Sequence, residues 1–158
     1  MIIRKKIKTF TIILTFLALF SGCASKNAFE RFEMSEKQEL SEDALVRSKI
    51  KYKEDVNGII STIYLNFVSP QEYIDGEYFY VYMYLKNKNY ESRFLLNDKE
   101  PIEIKELPPV NKFSTLTQIK NEWSKYYLVK FDKQEDKLNF VFENGPYSSD
   151  ILKFEKDE

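Results

Sequence analysis

Residues 77–86 read Glu77-Tyr78-Phe79-Tyr80-Val81-Tyr82-Met83-Tyr84-Leu85-Lys86. Phe79, Val81, Met83 and Leu85 alternate with Tyr78, Tyr80, Tyr82 and Tyr84, the period of two that places successive side chains on opposite faces of a β-strand. Asp75-Gly76 ahead of the run is a turn signal. The aromatic and β-branched content suits a strand with one apolar face in a core and a second face that is also able to take cover.

Strand-like segments recur on either side. Residues 59–68 alternate Ile59, Ser61, Ile63, Leu65 and Phe67 against Ile60, Thr62, Tyr64, Asn66 and Val68, and they stop before Pro70. Further strands are expected at 91–96, 102–107, 123–131, 138–143 and 151–154. An Asn97-Asp98 turn lies between the first two, and turns at 132–136 and 144–146 separate the last three. Pro108-Pro109 interrupts sheet pairing, and residues 113–122 suit either a short strand or a helical turn. About seven short strands with turn residues between them and little helix predict a mainly antiparallel all-β domain. A small immunoglobulin-like β-sandwich is the first expectation, on strand count and spacing, and a small β-barrel is the alternative.

Upstream, residues 24–57 are rich in Lys, Glu, Ser, Asn and Gln. They read as a polar tether ahead of a single β-rich domain at 58–158. Ser35 followed by Gln38 fits a capping box, and Leu40, Ala44 and the stem of Arg47 could share one face of a short helix there.

The amino end has a different character. Arg4, Lys5, Lys6 and Lys8 precede an apolar run from Thr9 to Phe20, and Ser21-Gly22 then leads into Cys23. A basic head, a short apolar middle and a small-residue end are the pattern of an export signal. The run is shorter than the roughly 20 residues that span a bilayer. Leu19-Phe20-Ser21-Gly22-Cys23 resembles the lipobox of bacterial lipoproteins, with Phe20 where leucine is usual. The resemblance implies cleavage between Gly22 and Cys23, acylation of Cys23 through a diacylglyceryl group, and a mature protein held on a membrane. Ala24 and Ser25 follow without an Asp, which by the same resemblance implies the outer membrane where the cell has one. Cleavage after Ala24 by the ordinary peptidase and an uncleaved anchor are the alternatives.

Cys23 is the only cysteine, so no disulfide can staple an exported domain. Without residues 1–22, 136 residues remain; the leader holds four of the 24 basic residues and none of the 25 acidic ones, leaving a net charge of −5. That balance argues against a nucleic-acid partner.

There is no histidine. A His-based triad, a Cys nucleophile in the domain and ordinary zinc sites therefore lack their parts, and no metal or cofactor is expected. Ser48 and Lys51 match a Ser-x-x-Lys pattern, but the companion motifs of serine enzymes that use it are missing. Glu100 with Glu103, or Glu135 with Asp136, could serve a small carboxylate-dependent envelope hydrolase, yet neither pair has a supporting frame. The expectation is a non-catalytic binding or assembly module on the membrane, with an envelope protein or cell-wall glycan as partner. Its candidate contact residues are Tyr78, Tyr80, Tyr82, Tyr84 and Trp123, because Tyr and Trp are enriched at recognition surfaces.

Overall fold

A computed structural model describes residues 34–135 and 137–156. Cys23, Gly22 and the rest of the leader lie outside the described residues. The elements run α1 (Glu36–Asp43), β1 (Leu45–Tyr52), β2 (Asp55–Tyr64), α2 (Leu65–Val68), β3 (Glu77–Leu85), β4 (Ser92–Leu96), β5 (Glu103–Leu107), α3 (Ser114–Thr117), β6 (Lys125–Phe131), β7 (Lys137–Asn144), β8 (Tyr147–Ser149) and β9 (Leu152–Glu155).

The domain is all-β and antiparallel, as the alternation predicts. Its strands join in one continuous sheet, β4-β7-β8-β1-β2-β3-β6-β5, with β9 also on β7. It forms a curled half-barrel rather than two separate sheets, so the barrel alternative describes the connectivity more closely. The curl is visible in the packing. Phe140 on β7 lies 5.0 Å, ring to ring, from Phe79 on β3 and 5.9 Å from Phe131 on β6, although three strands separate β7 from β3 along the ladder. Phe94 on β4 meets Tyr127 on β6 at 5.4 Å. Rings from both halves of the sheet thus fill one interior, where aromatic pairs at such separations add to the burial of their area.

The sheet begins earlier than the composition suggests. Residues 45–57, read as tether, form β1 and the start of β2, and β1 pairs with β2 on one edge and β8 on the other. Its sequence is charged at Arg47, Lys49 and Lys51, which hides the strand. Ile50 is nevertheless fully buried, and backbone pairing on both sides replaces the apolar pattern as the reason for its order. A register shift between Ile50 and Lys51 sits opposite Gly58, where a Cβ would fall 2.1 Å from the Tyr84 carbonyl oxygen. Only glycine fits so close an approach.

The strand expected over 59–68 starts at Asp55 and ends at Tyr64, and Leu65–Val68 turn into a helical segment. Asn66 explains the turn: its amide donates to the Tyr73 and Gly76 carbonyls and its oxygen accepts from the Tyr78 N–H, fastening β2 to the start of β3. At 113–122 the helical option holds, as α3. The capping box at Ser35 and Gln38 is present on α1.

Asn97 and Asp98 both have positive φ, 49° and 63°, the geometry of a tight hairpin turn. Asp98→Gly is expected to stabilise the domain by about 0.5 kcal/mol, because glycine takes this conformation without the side-chain penalty. Thermal unfolding of the two proteins checks this.

Candidate functional site

The tyrosine face of β3 is the surface on which the sequence places recognition. Cross-strand register resolves it into rows of neighbours on one face of the sheet. One row is Leu45, Ile63, Tyr80 and Leu128, and the next is Arg47, Ser61, Tyr82 and Tyr126. The last is Lys49, Ile59 and Tyr84.

The first row is roofed, and so are Ser61, Tyr82 and Tyr126 of the second. Leu40 and Ala44 of α1 and its junction, Leu65 and Val68 of α2, Leu116 of α3, and Phe113 pack onto Tyr80, Tyr82 and Tyr126 as a second hydrophobic core. The Phe113 ring lies 4.8 Å from that of Tyr80. The Gln38 amide donates to the Thr115 carbonyl at 2.7 Å, and the Ser41 hydroxyl to that of Leu116 at 2.9 Å, stitching α1 to α3. Tyr80 is fully buried and Tyr82 almost so, which corrects the reading of both as contact residues. The cause is the segment 34–44 together with α2 and α3: elements expected to be tether, strand or undefined path lie over this face. Burial pushes the Tyr80 hydroxyl up to about 12, with the Asn111 amide 3.5 Å away as a weak partner.

Tyr78 is half-buried and tied down. Its hydroxyl donates to Asp75 at 2.6 Å, and the Lys130 ammonium lies 5.1 Å from its ring centre. It belongs to a surface cluster in which Lys130 also pairs with Asp75 at 2.8 Å.

The last row is bare. Tyr84 is 44 % exposed and Ile59 51 %. Trp123, 66 % exposed, stands two residues before Lys125, which pairs with Met83 beside Tyr84. The loop that carries it is held against the same face, because the Tyr126 hydroxyl donates to the Asn121 carbonyl at 2.9 Å. Of the five residues singled out, the structure therefore brings Tyr84 and Trp123 to one exposed end of the sheet. Ile59, Lys49 and Arg47 join them there. The sequence carries a signal for these, since Arg47 and Lys49 alternate with Val46, Ser48 and Ile50 at strand period.

Arg47 and Lys49 are exposed, and among the described residues neither has a carboxylate within ion-pair distance. The Arg47 guanidinium lies 3.5 Å from the Tyr82 hydroxyl, at the boundary between roofed and bare rows.

The catalytic candidates are dispersed. Ser48 is on β1; its hydroxyl accepts from the Asp150 N–H at 2.9 Å and lies 2.9 Å from the Lys49 carbonyl, while Lys51 pairs with Asp150 at 3.1 Å. Asp150 thus engages both members of the Ser-x-x-Lys pattern, and the serine hydroxyl is occupied by backbone. Glu100 pairs with Arg93 at 2.9 Å, Glu103 is exposed on the edge strand β5, and Asp136 lies outside the described residues. Glu135 lines an open groove of about 1210 Å³ beside β7 and β9, together with Asp98, Lys99, Lys133, Lys137 and Lys153. Among the described residues no three His, Cys or carboxylate side chains converge on a point where a metal ion would sit.

Comparison with protein-family models, curated proteins and solved structures finds no match to this chain.

Proposed function

We propose that this chain is a lipid-anchored cell-envelope protein, exported and acylated at Cys23, whose β domain works by binding or assembly rather than catalysis. The observation that carries the anchor is the coincidence, at one point, of a basic head, an apolar run, Ser21-Gly22 and the only thiol in the chain. A single acyl chain holds a protein to a bilayer only reversibly, whereas two or more hold it durably. The binding half of the reading is supported by Tyr84, Ile59 and Trp123, large apolar side chains left in water at one end of an otherwise roofed face.

Fatty-acid labelling and membrane fractionation of the wild type and Cys23→Ala test the anchor. Label and membrane retention are expected in the wild type and neither in the variant; a wild type that takes up no label overturns the proposal. Tyr84→Ala and Trp123→Ala are expected to leave stability within about 0.5 kcal/mol of the wild type while weakening the domain's contact with the envelope, read by crosslinking.

A further inference from the structure

We infer that the bare end of the tyrosine face, Ile59, Tyr84 and Trp123 with Arg47 and Lys49, docks on the surface of an anionic phospholipid bilayer. The inference rests on the anchored reading above for the proximity of a membrane, and it names the partner of that face.

Three observations lead there. The side chains are of the kind that a bilayer boundary accepts: Trp and Tyr have an apolar body with one polar tip, and Ile59 is a purely apolar contact beside Tyr84. Ile59 and Tyr84 are presented together as register partners, and Trp123 is in the turn that enters β6, the strand on the other side of β3, at the same end of the sheet.

The third is charge. The exported part carries −5 overall, but this end is cationic. Lys49 is in the same row as Ile59 and Tyr84, Arg47 is in the next row, Lys86 follows β3, and Lys120 is three residues before Trp123, against Glu122. An acidic domain that sets unpaired cations beside its exposed aromatic row is complementary to a negatively charged surface there. Long Lys and Arg stems lying along the apolar row would keep their charges at headgroup level as the rings enter. The domain would then rest on the bilayer in one orientation instead of hanging freely from its lipid.

Trp123 is the only tryptophan in the chain, so its fluorescence reports this place alone. The full mature protein is reconstituted into vesicles of phosphatidylcholine, with or without an equal part of phosphatidylglycerol, and with brominated lipids as quenchers. Blue-shifted and quenched emission is expected in the anionic vesicles, at least twofold more quenching than in the neutral ones. It should be reversed near 1 M salt, where the screening length falls to about 3 Å.

Lys49→Glu, and Arg47→Glu with Lys49→Glu, should return the emission to that of tryptophan in water; two variants with unchanged thermal unfolding guard against a folding artefact. Emission that is the same in both vesicle types and untouched by the brominated lipid overturns the inference, as does a Trp123 that is shielded only by a captured protein. Acyl label at Cys23 with an unquenched Trp123 defeats this inference alone; quenching without label defeats the anchor alone.

Discussion

Tyr80→Ala is expected to cost about 3–5 kcal/mol, the range for removing a large ring from a packed core. Set against the 5–15 kcal/mol by which domains of this size are usually stable, that loss lowers the unfolding midpoint by roughly 10–20 °C. The ring is fully buried between Phe113, Tyr82 and Tyr126, whose centroids lie 4.8, 5.9 and 6.5 Å away. Tyr80→Phe isolates the ring from its hydroxyl. With only the Asn111 amide at 3.5 Å to lose, it should cost under about 1 kcal/mol. Tyr84→Ala, four residues along the same face, should change stability by no more than about 0.5 kcal/mol. Denaturant unfolding of the three variants reads the contrast directly. Equal losses at Tyr80 and Tyr84 would mean that the roof over the first two rows does not hold.

That contrast marks what was legible in the sequence. Alternation over residues 77–86 assigns the faces of β3 correctly: Phe79, Val81, Met83 and Leu85 are all in the interior core, with the tyrosines opposite. Alternation says nothing of what covers the second face. The roof comes from α1, α2 and α3, of which the latter two are four residues long each and too short to show helical periodicity. α1 is polar around most of its circumference and anchors through Gln38 and Ser41, hydrogen bonds that no apolar stripe announces. β1 was hidden for a related reason: a strand paired on both edges needs few large apolar residues, and Ile50, with the half-buried Val46, is what it gives to the interior core. The exposed site follows the same logic. Trp123 and Tyr84 stand out in the sequence, but Ile59, Arg47 and Lys49 join them only once cross-strand register is known.

The second large effect concerns a charge inside the fold. Glu77, at the start of β3, has a side chain only 2 % exposed. One carboxylate oxygen accepts from the Tyr64 hydroxyl at 2.6 Å; the other accepts from the Lys156 ammonium at 2.6 Å and the Gln134 N–H at 3.0 Å. The end of β2, the loop before β7 and the residue after β9 therefore all converge on one carboxylate. Burial by itself would push the Glu77 carboxyl up, but the bonds from Lys156, Tyr64 and the Gln134 amide prevail and hold it below the usual carboxylate range. Burial and the same carboxylate push the Tyr64 hydroxyl up, so it remains a donor at any pH the fold meets.

Glu77→Gln is expected to cost about 1.5–3 kcal/mol at neutral pH, the range for hydrogen bonds to a charged group. Glu77→Ala should cost about 3–5 kcal/mol, because it strands the buried Tyr64 hydroxyl without an acceptor and leaves the Lys156 ammonium only the Gln134 carbonyl at 2.7 Å. The sign of the pH dependence follows from the lowered value. Below about pH 4.3 the unfolded chain binds a proton at this carboxyl that the folded one still excludes, so stability falls as pH falls through that window. Above it the contribution is fully present. The gap in unfolding free energy between wild type and Glu77→Gln should thus be widest from pH 5 to 7 and narrow steadily below pH 4. A gap that is constant down to pH 2 would show that the carboxylate charge is not what ties these three segments together.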